Sequence, residues 1–374
     1  MANKQVPDSN SLIHLENGER IAKVMTVLGH NASGKTKLLM PLSFITWFMA
    51  ESFKGITPDE DIPVEAHRAS DSKIISFEFE FTMPSSTEHV FRYELELSTK
   101  QVFREALYMK QKRFNYVFIR EWDKETEEYH VKQKGFGLKP SEAKKVRKNV
   151  SLISTAAQYG VPFAEALVNF SGCAFTNVNM AGKRHLDERE LNESTKFYYD
   201  NEDFLGQLNM HIQRLDFGIE KITIEKVVLP DETEKLIPIF HHKSQGKGFA
   251  LSIYNESSGT RGIYSILSTV LSILEVGGIA VLDEMESELH PQMVLEIMRM
   301  FTDSDSNPND AQLLMATHSL EVLQRVEKNQ IYLVEKNDCV SEAWRLDEMK
   351  GVRRDENIYA RYMAGAYGAV PNID

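Results

Sequence analysis

Gly29-His-Asn-Ala-Ser-Gly34-Lys35-Thr36 fits the pattern G-x-x-x-x-G-K-[ST] without a mismatch. The apolar segment Ile21 to Leu28 runs into it, and the nearly apolar stretch Leu38 to Ala50 follows. Strand, glycine loop and helix is the simplest reading, and it predicts an α/β core with an anion site at the loop. The glycines let backbone N–H groups turn inward around phosphate oxygens, while the helix directs its positive end at the same anion. Lys35 would reach the β- and γ-phosphates, and the Thr36 hydroxyl would join a Mg²⁺ shell. Gly29, Asn31, Ala32, Ser33, Gly34, Lys35, Thr36 and Lys37 are therefore the candidate nucleotide-binding residues. A chance glycine turn is the competing explanation, but average composition yields this pattern in roughly one chain of this length in a hundred.

A second motif lies far downstream. Gly277-Gly-Ile-Ala-Val-Leu-Asp283-Glu284 is four apolar residues running into two carboxylates. A strand buried on both faces looks like this, and ligands of such sheets bind at its carboxyl end. Asp283 would hold Mg²⁺ through water. Glu284 points the other way along the strand and could polarise a water aimed at the γ-phosphate. The bland alternative is an ordinary strand followed by an acidic turn; the intact phosphate loop upstream weighs against it.

Glu256-Ser257-Ser258-Gly259-Thr260-Arg261-Gly262 precedes the helical pattern Ile263, Ile266, Leu267, Val270, Leu271, Leu274. Small hydroxyls and a glycine at a helix start make a second anion site from Ser257, Ser258 and Gly259. Read locally it is an ordinary N-cap; its place 24 residues before Asp283 is what singles it out. Beyond the acidic strand, Ala316-Thr317-His318-Ser319 ends another apolar run. His318 there could contact the γ-phosphate or hold the attacking water, or be a satisfied core histidine.

In this order, GHNASGKT, ESSGTRG, VLDEMESELHP and ATHS resemble the motifs of ATP-binding-cassette-type ATPases of the SMC, RecF and OLD class. They look most similar to the small stand-alone ATPases of bacterial antiphage defence operons. The resemblance covers about residues 11–60 and 215–345, and the tail from Glu356 to Pro371 also resembles the ending of these proteins. It implies a head that closes as a pair: one subunit's loop holds ATP while the other's Ser257 to Gly259 caps the γ-phosphate. By the same mapping Glu284 is the general base and His318 the switch histidine, both catalytic, and Glu288 and His290 lie near the dimer seam. Thr36 and Ser257 are 221 residues apart, and one chain rarely closes both sides of one nucleotide. The pattern departs from the family in three places. Residues 37–100 contain no glutamine for the usual Mg²⁺ contact, the first candidate being Gln101; only 28 residues precede Gly29; and the signature is Ser-Ser-Gly-Thr rather than the transporter form Ser-Gly-Gly-Gln.

The rest of the chain frames these motifs. With 374 residues, 42% of them hydrophobic and 26% charged, it has the composition of a globular protein of two or three domains. The longest nearly apolar run, Leu38 to Ala50, is 13 residues against the roughly 20 a bilayer span needs, and the first ten residues are polar, so no membrane or secretory role is expected. Two cysteines, Cys173 and Cys339, suit a reducing, cytoplasmic setting. The net charge of -12 argues against nucleic-acid binding over the whole surface.

Near the start, Ser11 to Leu15 and Ile21 to Leu28 flank Asn17-Gly18, a hairpin signal. From Lys73 to Leu97 apolar residues alternate with period two, predicting half-buried antiparallel strands that Val102 to Ile119 continues. Asp123 to about Phe217 has helical spacing and many charges and reads as a helical insertion. Strands are expected at Ile219–Leu229, Leu236–His241, Ile279–Leu282 and Gln312–Ala316, with a helix after Gly262. No heptads call for a coiled-coil arm. The division is thus residues 1–120 (first lobe with the phosphate loop and an antiparallel β-lobe), 121–214 (helical insertion) and 215–374 (second lobe with signature, acidic strand end and histidine). Lys132, Lys134, Lys139, Lys144, Lys145, Arg147 and Lys148 crowd one segment. Upstream, Lys110, Lys112, Arg113 and Arg120 alternate with Phe114, Tyr116 and Phe118. Such a surface could track phosphates, but a solvated helix face and a half-buried strand look the same and are favoured. His30, His211, His241 and His242 lack metal-site spacing.

The expectation is a P-loop NTPase: an ABC-type ATPase head that binds ATP and Mg²⁺ and hydrolyses ATP slowly across a homodimer or higher homo-oligomer. The 56 residues after His318 are too few for an appended nuclease, so the resemblance implies a separately encoded effector protein, often a nuclease in this group, with this chain sensing infection and restraining or releasing it. A RecF-like DNA-binding repair ATPase and a non-hydrolysing ATP-dependent scaffold are the alternatives.

Overall fold

The computed structural model describes residues 8–83, 86–184, 187–215, 218–228, 232–287, 289–353 and 356–370. The chain divides into two compact units. The first holds Leu12–Ile21 and Thr36–Gly182; the second holds Asp8–Ser11, Ala22–Lys35 and the chain from Lys183 onward.

In the first unit, five strands follow one another as an antiparallel meander: Ile75–Met83, Ser86–Leu97, Val102–Lys110, Phe114–Asp123 and Glu128–Gln133. Period-two alternation sorts the side chains onto two faces. Phe91, Tyr93, Leu95 and Leu97 are buried, while Arg92 and Glu94 stand on the other face. There Arg92 meets Glu80 at 2.8 Å and Arg104 meets Glu94 at 2.5 Å across neighbouring strands. The buried face packs with the helices Leu152–Gln158 and Pro162–Gly172 and with Phe44 and Phe48 of the helix Lys35–Gly55. Phe81 stacks on Phe170 at 4.6 Å, and Phe118 meets Phe136 at a tilt with ring centres 4.7 Å apart. Each such buried ring contributes roughly 1.5–3 kcal/mol of transfer free energy.

This core also holds a charge pair. Glu105 and Arg120, both with no exposed side-chain surface, lie 3.5 Å apart. Glu105 accepts from Tyr93 Oη at 2.9 Å, Ser151 Oγ at 2.7 Å and Leu152 N at 2.8 Å. Arg120 donates to the carbonyls of Val150 (2.9 Å) and Arg147 (2.8 Å), and its guanidinium lies 3.9 Å from the Tyr129 ring centre. Of the basic residues read as a possible phosphate track, three have structural partners, while Lys112, Arg113, Lys132, Lys134 and Lys139 are exposed. Arg120 is in the core, Lys110 pairs with Glu19 at 2.6 Å, and Arg147 donates to the carbonyls of Ile56 (2.7 Å) and Phe53 (2.5 Å) at the end of a helix. Lys144, Lys145 and Lys148 remain exposed.

In the second unit the sheet order is Val340–Arg345, Ile331–Asn337, Val24–Leu28, Gln312–Ala316 and Ile279–Asp283. All neighbours are parallel except the first pair. Asp283 is in register with Ala316, and Ala316 with Val27, so the phosphate-loop strand, the acidic strand and the histidine strand end together. A three-stranded antiparallel sheet, Ile219–Val228, Glu234–Ser244 and Lys247–Ser252, lies in the same unit with helices Glu188–Asp200, Glu202–Arg214 and Ser258–Val276. Tyr198 Oη donates to the carbonyl of Tyr264 at 3.1 Å, and Ser194 meets Ser268 at 2.9 Å.

Several loop corners are closed by buried amide side chains. Asn149 donates to the carbonyls of Thr57 and Glu60 at 2.8 and 2.9 Å. Asn307 donates to Phe301 and Ala311 carbonyls at 2.7 and 2.9 Å and accepts from Ala311 N. Gln330 donates to the carbonyl of Val24 at 3.1 Å.

Four expectations are adjusted. The run Ile21 to Leu28 is not one strand. Arg20–Ala22 pairs with Leu12–His14, and the chain breaks at Lys23, whose buried ammonium meets Asp310 at 2.8 Å, before Val24–Leu28 joins the parallel sheet. The helix after the loop begins at Lys35 and runs to Gly55, since the loop's own last residues already form its first turn. The segment 121–214 is not one helical body: Glu128–Gln133 is the meander's last strand, and the helices Glu188–Asp200 and Glu202–Arg214 belong to the second unit. The hairpin Ile331–Asn337/Val340–Arg345 and the strand Lys247–Ser252 have no counterpart in the sequence reading. Glu288, and Phe217 at the expected end of the insertion, lie outside the described residues.

Candidate functional site

The site is built where the parallel strands end. Gly29 follows Val24–Leu28, and a Cβ there would sit 2.3 Å from the carbonyl oxygen of Val334 on the neighbouring strand, so only glycine fits. Ala32 and Gly34 take left-handed backbone, with φ of 61° and 112°. A Cβ on Gly34 would lie 2.5 Å from Ser341 Oγ. Asn31, Ala32 and Lys37 are exposed, Ser33 is buried, and Gly34 and Thr36 are half-buried. Gly29→Ala is accordingly expected to destabilise the fold by about 1–3 kcal/mol, because two backbones must separate to admit the methyl group. Chemical denaturation monitored by circular dichroism measures this; an unchanged midpoint would contradict the close approach.

Lys35 bends back over the loop. Its ammonium, 5% exposed as a residue, donates to the carbonyls of Gly29 and His30 at 3.1 and 3.2 Å. Burial lowers its pKa below the usual lysine value, against the pull of Glu284, Asp283 and Glu286, which raise it. The same ammonium lies 3.5 Å from His318 Nδ1, and His318 Nε2 lies 3.0 Å from Glu284 Oε1. A lysine ammonium can only donate, so Nδ1 accepts, Nε2 carries the ring proton, and Glu284 receives it. The result is a directed chain from lysine through histidine to carboxylate.

Asp283, the last residue of Ile279–Asp283, is 1% exposed. Glu284 follows with φ of 48°, a left-handed conformation that costs a non-glycine residue roughly 1–2 kcal/mol. Its N–H donates to the carbonyl of Ala316 at 2.8 Å, fixing the acidic turn to the histidine strand. Glu286 adds a second tie by accepting the backbone N–H of His318. Lys183 supplies a third, donating to the carbonyl of Glu284 at 3.0 Å and to Ser287 Oγ at 2.5 Å.

The signature residues stand at the start of a 19-residue helix, Ser258–Val276. Ser257 caps it, accepting from Thr260 N at 3.1 Å and meeting Thr260 Oγ1 at 2.8 Å; its carbonyl accepts from Arg261 N at 3.0 Å. These bonds run within its own helix. Ser257 and Ser258 are exposed, and Gly259 is half-buried. His290 caps the helix Pro291–Thr302 through Gln292 N at 3.3 Å.

The structure thus gathers Lys35, His318 and Glu284 beside Asp283, and leaves Ser257, Ser258 and Gly259 on a separate helix start. Thr36 stands in the first turn of its helix. Gln101 sits in the turn joining Ser86–Leu97 to Val102–Lys110. Among the described residues no group of three or more His, Cys, Asp or Glu could hold a metal ion, and no helix is long and apolar enough to cross a membrane. A single buried carboxylate, Asp283, suits Mg²⁺, which takes one or two protein oxygens and completes its shell with phosphates and water. Sequence reading assigned no role to Glu286, Ser287 or Lys183. Glu286 and Ser287 lie in the quoted acidic run, but Lys183 is 101 residues from Glu284 and carries no local signal.

No curated protein sequence matches the chain. Among solved structures, an SMC head bound to the C-terminal winged-helix domain of ScpA aligns at TM-score 0.48 and 14% identity, over 90% of this chain and 95% of that one. The SMC head domain from Thermotoga maritima aligns at 0.34 and 12%, over 90% and 95%. The recombination mediator RecF in complex with ATPγS aligns at 0.27 and 11%, over 89% and 96%. At these scores the assignment rests on sequence, where a family model covers residues 24–324. The chain, an ATPase of the AAA type, belongs to the family described as "AAA domain, putative AbiEii toxin, Type IV TA system".

Proposed function

We propose that the chain hydrolyses ATP slowly at a site completed by a second copy of itself, and that the nucleotide state sets the activity of a separate effector protein in antiphage defence. The observation that carries the catalytic part is the chain from Lys35 through His318 to Glu284, at 3.5 and 3.0 Å, beside the buried Asp283. In this reading the loop from Gly29 to Lys37 binds the triphosphate through backbone N–H groups and Lys35. Thr36 and Asp283 would hold Mg²⁺, which would supply positive charge to offset that of the phosphate oxygens. Before the nucleotide arrives, His318 Nε2–H donates a hydrogen bond to the Glu284 carboxylate; once it is bound, His318 orients the attacking water and Glu284 accepts that water's proton.

Ser257, Ser258 and Gly259 serve the other subunit's nucleotide. What supports this is a long helix whose exposed start offers N–H groups and Ser258. The defence role draws on the family description, which names a toxin of a type IV TA system, and on the resemblance to defence ATPases. Arg120, Arg147 and Lys110 have partners within the chain, and the exposure of the other basic residues is equally that of a solvated face, so a DNA track along the basic segment is not advanced.

A mixing experiment tests the shared site. Lys35→Ala and Ser258→Arg are each expected to abolish hydrolysis alone. Mixed in equal amounts, they should recover about a quarter of the wild-type rate, because half of random dimers are mixed and each carries one whole site. A mixture as inactive as its components would overturn the composite site.

A further inference from the structure

Lys183 ends the short strand Gly182–Lys183 and is the residue at which the chain re-enters the second unit. Its side chain is 12% exposed. None of the motifs includes it, yet its ammonium reaches the turn that carries the proposed general base. The carbonyl of Glu284 collects three donors: Lys183 Nζ at 3.0 Å, Ser287 Oγ at 2.9 Å and Ser287 N at 3.1 Å. Lys183 also lies 2.5 Å from Ser287 Oγ and 3.8 Å from Glu284 Oε2. Glu284 is thus held at both ends, its backbone by Lys183 and Ser287 and its carboxylate between His318 and Lys183.

A residue with φ of 48° needs such holding. A left-handed backbone on a side chain with a Cβ persists where its surroundings over-determine it. The strand end supplies one restraint through Glu284 N and Ala316 O; the other side of the peptide is restrained by an ammonium and a hydroxyl. Removing the ammonium leaves the carbonyl with its short-range turn bonds only and lets the turn relax toward ordinary backbone, which swings the carboxylate.

We propose that Lys183 is a positioning residue for Glu284: it fixes the Glu284–Ser287 turn and balances the carboxylate against His318, so that the general base is aimed before nucleotide binds. The proposal rests on Glu284 acting as that base. Lys183 touches no phosphate in this role, so its loss affects turnover rather than affinity.

The test compares Lys183→Met, Lys183→Arg, Ser287→Ala and Glu284→Gln in the full chain, with ATP as the probe. Lys183→Met is expected to lower kcat on the order of ten- to a hundredfold, the loss typical of a misplaced catalytic group, with KM for ATP within about twofold and an unchanged thermal midpoint. Lys183→Arg, which keeps the charge and the donors, should recover most of the rate. Ser287→Ala, at an exposed position, should show a smaller fall in kcat and guards against a folding defect in the lysine variants. Adding Lys183→Met to Glu284→Gln should cost nothing further, because both act through one group. A wild-type kcat in Lys183→Met while Glu284→Gln is inactive overturns the positioning role alone. Wild-type turnover in Glu284→Gln overturns the general-base reading on which it rests. A fall confined to KM would assign Lys183 to nucleotide binding and also overturn the proposal.

Discussion

Glu284→Gln is expected to slow ATP hydrolysis by about 10²–10⁴-fold, the usual contribution of a positioned general base. Nucleotide affinity should change little. The amide keeps the size of the carboxylate, and its oxygen can still accept a hydrogen bond from His318 Nε2–H at the 3.0 Å position, so the loop is not disturbed. Proton acceptance alone is lost. Single-turnover hydrolysis of labelled ATP, with equilibrium binding measured beside it, separates the two quantities. If both subunits must close on the triphosphate, the variant should also accumulate as a dimer when ATP is present, seen by light scattering on a sizing column. A variant that hydrolyses like the wild type would place the chemistry elsewhere and favour an ATP-holding scaffold.

The second large effect is on stability. Arg120→Ala is expected to cost about 3–5 kcal/mol, because it leaves Glu105 as an unpaired charge in a dry core. Neither side chain has exposed surface, so water cannot reach the orphaned carboxylate without opening the sheet. Three hydrogen bonds from Tyr93, Ser151 and Leu152 would remain on Glu105, but none brings a positive charge. Adding Glu105→Gln to Arg120→Ala should return part of the loss, since the charge then leaves with its partner. Urea denaturation of the single and double variants measures both. A single variant within about 1 kcal/mol of wild type would mean that the pair contributes little.

The candidate site was more legible than the fold around it, for a physical reason. Phosphate binding needs a contiguous turn, and each motif lies within a few residues of chain. Gly29 to Thr36, the Asp283-Glu284 strand end and His318 therefore carry their own signal, and the register of three parallel strands brings them together. Lys183 is tied to Glu284 only through the folded chain, so nothing in its own neighbourhood marks it. Among the strands, the period-two alternation from Lys73 to Leu97 is unmistakable because one face is buried and the other wet. The hairpin Ile331–Asn337/Val340–Arg345 escaped notice because its turn is Asp338-Cys339, both at positive φ (47° and 63°), rather than the Asn-Gly or Asp-Gly pair that announces such turns. The strand Lys247–Ser252 turns through Gln245-Gly246 but is largely exposed, so it shows no apolar alternation. In the basic cluster, composition cannot distinguish an arginine that faces solvent from one, like Arg120, that donates to the carbonyls of Val146, Arg147 and Val150 inside the core.

The amide-closed corners have a consequence for how the protein meets its medium. Asn149, Asn307 and Gln330 hold their loops with neutral dipoles, which mobile ions do not screen and protons do not titrate in the ordinary range. Brine would screen the attraction along the rim of Arg92, Glu80, Arg104 and Glu94 while leaving these corners latched. Surface electrostatics can thus be rewritten, by solvent or by evolution, without unfastening the frame beneath.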